Sequence, residues 1–423
     1  MLHFCLRFMP FLSADSVAVR GRYSLRAAWG LALSFLLFLT LATSARAQMS
    51  LQEALRQEVA IKTVDIDAAR DAYFPAISLS GETSTTDSDG PGVVLSVTQL
   101  LFDWGKTRAE IEQASQVRVQ AISDLKMAIE SLTFEIAGFF LDVEVLDRKI
   151  AYTREYMTFA RRLAGQAKDR ALGGVGDNGE IARARLEIAR ADEQMSQLLA
   201  NRQIALAQLE YLVGGPSLGD VRTPPAIRFS QHYAGVEKIR AAIRISPEYT
   251  SARASVAEAE AGIDTAKARR FPTINLQAQG RADLNGGDTQ TALGISAGVD
   301  LNSRGFGQRQ IQSARLRLEG AKASLRGVER ELLNTTSTAL ERLQLLRQSE
   351  MSKASQLVEA EKVLSSYEQQ FIAGQRELLD LLTTGRDLYD AQIDEIDTYD
   401  ERKRTEYESA RRLGVLGTML SAG

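Results

Sequence analysis

Phe74-Pro75-Ala76-Ile77-Ser78-Leu79 returns about 200 residues later as Phe271-Pro272-Thr273-Ile274-Asn275-Leu276, and Gly105, Ile111 and Ala114 return as Gly305, Ile311 and Ala314. After each Phe-Pro the apolar residues alternate with polar ones. The first copy has Ile77 and Leu79, a polar turn, then Val93, Leu95, Val97 and Leu101. The second has Ile274, Leu276 and Ala278, a loop through Asn285-Gly286-Gly287-Asp288, then Leu293, Ile295, Ala297, Val299 and Leu301. This alternation predicts strands over about 76–86, 92–102, 273–283 and 291–301. Each is about ten residues, the length that crosses a bilayer at a tilt. A half-buried hairpin of a soluble protein alternates in the same way, so the surrounding chain has to decide between them.

That surrounding chain is helical. Proline is absent between residues 92 and 215 and after 272, which leaves two stretches where long helices can run unbroken. In the first, Ile122, Leu125, Ile129, Leu132, Ile136, Phe139, Val143, Leu146 and Ile150 alternate by three and four. A 3.5-residue period predicts a narrow coiled-coil seam, on a helix about 100 Å long. Glycines at 173, 174, 176 and 179 reverse the chain, and the seam resumes through Ile181, Ala184, Ile188, Ala191, Met195, Leu198, Ala205, Leu209 and Leu212. The second copy has a weaker seam in Leu325, Val328, Leu332, Ala339, Leu343 and Leu346, with its reversal at Gly374. Ser246-Pro247-Glu248 reads as an N-cap, a first-turn proline and a first-turn acid that start the helix leading to Phe271. The matching helix of the first copy is shorter.

Residues 1–47 read as a secretory leader: Arg20, Arg22 and Arg26, an apolar run from Ala27 to Leu41, and Ala45-Arg46-Ala47 as a small-x-small cleavage site. An uncleaved anchor is the rival reading, since the run approaches the ~17 residues of a short spanning helix. The organisation is then repeat one over 48–213 with a tip near 173–179, a linker over 214–235, and repeat two over 236–423 with a tip near 373–377. Cleavage takes away Cys5 and His3 and leaves His232 as the one imidazole, so disulfides, Cys/His metal sites and Cys/His catalysis are not expected. No cofactor, no metal and no enzymatic activity are expected. Of 51 basic and 54 acidic residues, removal of Arg7, Arg20, Arg22, Arg26, Arg46 and Asp15 leaves 46 and 53. The mild acidity argues against a nucleic-acid partner.

Open sheet edges are not viable in hydrocarbon, and four strands are too few for a barrel, whose smallest bacterial single-chain forms have about eight. Association of three chains, giving twelve strands, solves both problems. Phe102 and Trp104 stand where the second strand meets the long helix, as an interfacial aromatic belt or as a packed strand-to-helix corner.

Positions 49–420 resemble the TolC-type family of outer-membrane efflux and secretion channels. The resemblance is carried by Tyr73-Phe74-Pro75-Ala76-Ile77, Gln99-Leu100-Leu101-Phe102-Asp103-Trp104-Gly105, Arg270-Phe271-Pro272, and Phe371-Ile372-Ala373-Gly374-Gln375-Arg376-Glu377-Leu378-Leu379-Asp380. It implies a mainly α protein with a small β membrane part, built from a duplicated helix-strand-strand-helix-helix unit. Three protomers would share a 12-stranded β-barrel in the outer membrane and form a coiled-coil helical tunnel through the periplasm. It further implies a periplasmic adaptor, an inner-membrane pump driven by ATP or by protons, and a tip that closes the pore. By this resemblance Phe371, Arg376 and Asp380 belong to the periplasmic gate, with Asp177 and Glu180 in the first copy, while Gly174 and Gly374 mark the adaptor-docking tip. The family usually has tyrosine where this chain has Phe371.

Repeated three times about an axis, Arg376, Asp380, Asp177 and Glu180 would form charged rings. As ordinary turn residues, Glu180 and Asp380 favour a helix N-terminus. Gly374 to Gln392 looks closer to the type I secretion branch. A periplasmic or surface coiled-coil scaffold without a pore is the competing reading.

Overall fold

The computed structural model describes residues 46–82, 91–174, 178–213, 226–283, 289–299 and 307–422. Gln48–Gly423 forms one compact unit. The elements are α1 (Arg46–Asp71), β1 (Ala76–Glu82), β2 (Gly92–Phe102), α2 (Lys106–Leu172), α3 (Asn178–Val213), α4 (Phe229–His232), α5 (Val236–Ile245), α6 (Pro247–Ala268), β3 (Thr273–Asp283), β4 (Gln290–Gly298), α7 (Gln308–Ile372), α8 (Leu378–Arg412) and α9 (Leu416–Ala422). The molecule is mainly helical with few strands. The expected strand ends at 83–86 and 300–301, and part of the first tip, lie outside the described residues.

The four strands form one antiparallel sheet in the order β1-β2-β3-β4. Register sorts the side chains onto two faces. Ile77, Val97, Ala278 and Leu293 share one row, and Leu79, Leu95 and Gly280 another, while Leu276 sits opposite Ile295 and Ile274 opposite Ala297. The other face carries Ser78, Ser96 and Gln279, then Ser80, Val94 and Arg281. A bulge between Leu100 and Phe102 adds one residue to β2, so that Phe102 pairs with Ile274 on the apolar side. Ile77, Leu79, Leu293 and Ile295 are each more than 70% exposed. A continuous apolar sheet face of this kind is foreign to the surface of a soluble monomer. Among the described residues no strand is laid against a helix.

The helices pack among themselves. On α3 the buried residues Ala184, Ala191, Leu198, Ala205 and Leu209 follow the predicted seam. On α2 the seam behaves differently: Val143 and Ile150 are buried, whereas Ile122 and Ile129 stay exposed. Small residues are the reason. α2 meets α6 through alanines, with Ala109 and Ala121 buried on one helix and Ala254, Ala261 and Ala268 on the other, and the close approach turns the larger Ile122 and Ile129 outward.

The helices also bury more than the narrow seams expected from the 3.5-residue period. A compact core joins Ala137, Leu141 and Val145 of α2, Ile239 and Ile243 of α5, Leu332 and Leu343 of α7, and Ile396, Tyr407 and Ala410 of α8. The C-terminal end of the predicted linker belongs to it: Ile227 and Phe229 are buried there, and α4 begins at Phe229. Ser246 caps α6 as read, accepting from the Tyr249 N–H at 3.3 Å, but the matching helix of the first copy is not shorter: α1 spans 26 residues against 22 for α6.

α8 lies between α2 and α7 and is tied to both by charge. Arg148 pairs with Glu395 at 2.8 Å and Lys149 with Asp397; on the other side Arg402 pairs with Glu350 at 2.8 Å and Arg347 with Glu406 at 3.1 Å. Glu406 is almost wholly buried, and burial pushes its carboxyl above the usual range although Arg402 and Arg347 pull it down. A carboxyl whose folded-state pKa is raised stabilises the fold below its unfolded value and loses that contribution as pH rises. Relative to Glu406→Gln, the wild-type chain therefore gains thermal stability as pH falls from neutral toward about 4.5. Melting both proteins across that window tests the sign, since a gap that shrinks on acidification would mean that the arginines outweigh burial.

Candidate functional site

Both long hairpins end at a glycine in the left-handed region, Gly174 and Gly374, each with φ 74°. At the second tip the Gly374 N–H donates to the Phe371 carbonyl at 3.0 Å and the Gln375 N–H to the Gln370 carbonyl at 2.8 Å. This crossed pair satisfies the last carbonyls of α7 and reverses the chain. At the first tip the Gly174 N–H donates to the Ala171 carbonyl at 3.1 Å. The left-handed glycine and its bond back to the helix recur at both tips.

Below the glycines the two hairpins share a core. Leu163 and Ala167 of α2, Ala184 of α3, Phe371 of α7, and Leu378, Leu381 and Leu382 of α8 pack together. Phe371 is thus a buried wedge inside the subunit. Arg170, in the last turn of α2, lays its guanidinium carbon 4.9 Å from the Phe371 ring centroid and so links the first hairpin to the second. Its Nε is buried without a hydrogen-bond partner among the described residues, as is Glu180 Oε2.

Arg376 lies 3.9 Å over the Tyr367 ring, donates to Gln370 Oε1 at 3.0 Å and reaches Asp380 Oδ2 at 3.4 Å. Arg376 and Asp380 are therefore together, partly exposed, within one subunit. Glu180 and Asp380 occupy the first turns of α3 and α8, where the helix dipole favours a negative charge. Asp177 lies outside the described residues. A second layer stacks Tyr156 on Tyr389 at 5.0 Å, with the Thr153 and Tyr389 hydroxyls 2.9 Å apart. Between the layers, Gly385 of α8 sits so close to Phe159 of α2 that a Cβ there would stand 2.2 Å from the ring.

At the other end of α2 the aromatic corner is built across both halves of the chain. Trp104 meets Phe102 edge-on at 5.0 Å and stacks on Phe271 at 4.7 Å, and its Nε1–H donates to the Pro272 carbonyl at 3.0 Å. Trp104 carries φ 59°, unusual for a large side chain. Those contacts hold it there. Phe102, Trp104 and Phe271 are nonetheless about half exposed, so the corner is packed and outward-facing at once.

The model of the outer membrane efflux protein family matches residues 32–215 and 239–413. The chain belongs to the outer membrane efflux protein family. Protein CyaE of Bordetella pertussis is 26% identical over 295 residues, 64% of this chain and 62% of its own. The cobalt-zinc-cadmium resistance protein CzcC of Cupriavidus metallidurans is 22% identical over 75% of this chain and 72% of its own. The alignment with CyaE, like that with the fusaric acid resistance protein FusA of Burkholderia cepacia at 38%, spans less than two thirds of the relative's length. Among solved structures, the outer-membrane channel OprN superposes with a TM-score of 0.76 at 17% identity, covering 89% of this chain and 90% of that one. The outer membrane protein VceC from Vibrio cholerae superposes with 0.75 at 16% identity, covering 90% and 96%. This family member shares their fold.

Arg170 and Tyr367 were missed by sequence reasoning. A comparison of the two copies looks for a cation after each glycine, as Arg376 follows Gly374, but Arg170 precedes Gly174. The available signal was a cation within four residues of each reversal, Arg170 before Gly174 and Arg376 after Gly374, and the aromatic pair Tyr367 and Phe371 ahead of the second.

Loss of the Arg170 contact, worth about 0.5–2 kcal/mol, should speed amide exchange through residues 367–380 about two- to thirtyfold in Arg170→Ala and leave β1–β4 unchanged. Hydrogen-exchange mass spectrometry reads both regions. Gly385→Ala separates two opposing effects: helix propensity alone stabilises by about 1 kcal/mol, whereas the Phe159 contact makes the substitution destabilising. A lower melting temperature is the expected result.

Proposed function

We propose that this chain is one subunit of a homotrimeric exit duct in the outer membrane, a passive conduit for secretion or efflux without enzymatic activity. The observation that carries the proposal is the sheet, with one apolar face exposed, one polar face and two edges, β1 and β4, that pair with nothing among the described residues. In hydrocarbon such edges must be closed. β4 of one copy pairing with β1 of the next closes a 12-stranded barrel with lipid outside and polar residues lining the pore.

The helices support the same arrangement. α6 packs between α2 and α7. α1 holds the equivalent place beside β1 and β2, yet Ile61 and Val64 are exposed and its side chains reach α2 through the bond between Arg118 and Thr63. α7 of a neighbouring copy, with Leu316 exposed, supplies the missing surface. We read the two halves as copies of one unit, which gives the trimer a quasi-sixfold wall. The leader is removed after Ala47, and α2, α3, α7 and α8 extend into the periplasm.

At the tip, Arg376 and Asp380 with Glu180 and Asp177 form the constriction, and Phe371 acts from inside as the wedge that holds the ring in place. Gly174 and Gly374 present the turn to a periplasmic adaptor, through which an inner-membrane pump, ATP- or proton-driven, delivers cargo. Relatives named for fusaric acid resistance, pyoverdine export and cobalt-zinc-cadmium resistance fit a duct whose cargo is chosen by its pump. The resemblance of Gly374 to Gln392 to the type I branch keeps polypeptide secretion as the slightly preferred cargo class.

Planar-bilayer recording of the detergent-purified protein tests this. The expected result is a trimer with a small resting conductance whose open fraction rises in Arg376→Ala and Asp380→Ala. Exposed pairs contribute about 0–1 kcal/mol each, so three acting together allow up to about a hundredfold. Unchanged conductance in both variants removes the gate assignment and leaves the channel. A water-soluble, elongated, non-conducting monomer establishes the scaffold reading instead.

A further inference from the structure

The four helix-strand junctions all fall at one end of the antiparallel sheet. Tyr73, Phe74, Phe102, Trp104 and Phe271 gather there, each 47–66% exposed, directly beneath the apolar face. Cations stand among them. Lys106 and Arg108 open α2 and Arg309 opens α7, and neither helix has an acid in its first turn. That is the wrong sign for a helix N-terminus, where the dipole favours anions and disfavours cations. A helix end that carries positive charge against its own dipole is balanced when an external anion lies beside it.

The chain itself offers little to balance them. Asp103 caps α2, accepting from the Gly105 and Thr107 N–H groups at 3.0 and 2.6 Å, and its charge faces Lys106 but leaves Arg108, Arg270 and Arg309 unmatched. Glu110 is taken by Arg269, at 3.3 Å. Arg108, Arg270 and Arg309 are exposed, and none forms an ion pair among the described residues. At the opposite end of the sheet, among the described residues, Glu82 and Asp283 stand at the strand ends and Arg281 pairs with Asp283 at 3.3 Å. The unpaired cations are thus at the aromatic rim.

We propose that this rim is a binding surface for the phosphate groups of anionic phospholipids in the leaflet facing the periplasm: the aromatic rings settle at the headgroup level while Lys106, Arg108, Arg270 and Arg309 contact the phosphates. The reading rests on the membrane-spanning sheet proposed above. Aromatic residues at a bilayer interface and basic clusters beside it are the two elements of such recognition, each cation contributing about 1 kcal/mol.

Trp104 makes the test direct. The chain has two tryptophans, and in a Trp29→Phe background Trp104 is the only indole. The full protein is reconstituted in phosphatidylcholine bilayers containing brominated phosphatidylglycerol or brominated phosphatidylcholine, and quenching of Trp104 is compared. The expected result is preferential quenching by the anionic lipid, at least about fivefold in relative binding constant. The preference disappears in the quadruple variant Lys106→Gln, Arg108→Gln, Arg270→Gln, Arg309→Gln, while quenching by phosphatidylcholine persists. Equal quenching by both lipids in the unsubstituted protein overturns the headgroup assignment and leaves the membrane reading intact. Absence of quenching by either lipid overturns the membrane reading itself. Abolition of the preference by millimolar inorganic phosphate identifies a general anion site and overturns the lipid assignment.

Discussion

A strand that lies in hydrocarbon can leave no N–H or C=O without a partner, because no water is present to take its place. In this chain β2 and β3 satisfy that requirement with each other and with their hairpin partners, and the outer edges of β1 and β4 do not. Everything else in the proposed assembly answers to those two edges. In the proposed trimer neighbouring copies would meet those edges and lie over Ile122 and Ile129 of α2 and Leu316 of α7, which are exposed in the single chain. Strand gives way to helix abruptly at Trp104-Gly105. Gly105, with φ 83°, turns the chain within one residue, and α2 starts at Lys106. From there the backbone satisfies itself in one long helix.

Stiffness in the helical part comes from two sources that work at different heights. Midway along, the apolar core joining α2, α5, α7 and α8 and the ion pairs that flank α8 make one block. Exposed pairs in that set contribute little individually; Arg347 and Arg402 around buried Glu406 matter more, since removing one member strands a charge out of water. Toward the tip the block thins to a small core around Phe371, capped by two cation–ring contacts. The lower end is thus held by fewer and weaker contacts than the middle. The gradient fits the proposal that the tip yields to an adaptor while the wall stays intact.

Legibility in the sequence followed the strength of local periodicity. The Phe-Pro pairs, the alternation after them and the α3 seam through Ala184, Ala191, Leu198, Ala205 and Leu209 could be read because each is a repeat along a single element. The α2 seam could be read as a helix and misjudged as a buried stripe: period identifies a face, but the choice of which face is covered fell to the alanines of α6. The segment from Ile227 to Phe229 looked like linker because prolines and glycines precede it, and its two apolar residues carry no period at all. Arg170 was invisible for the same reason, since its ring partner is 201 positions away along the chain.

By itself, the sequence determined the helical and extended segments, their repeated motifs and the two reversal points, all of which are set by neighbours within a few residues. Tertiary structure alone decided that Phe371 lies inside the subunit, that Arg376 and Asp380 meet, that Trp104 bridges the two halves of the chain, and that the sheet keeps its apolar face bare. Those outcomes depend on which surfaces compete for burial and which lose. Competition of that kind is settled between elements far apart in the chain, where no local pattern records the result.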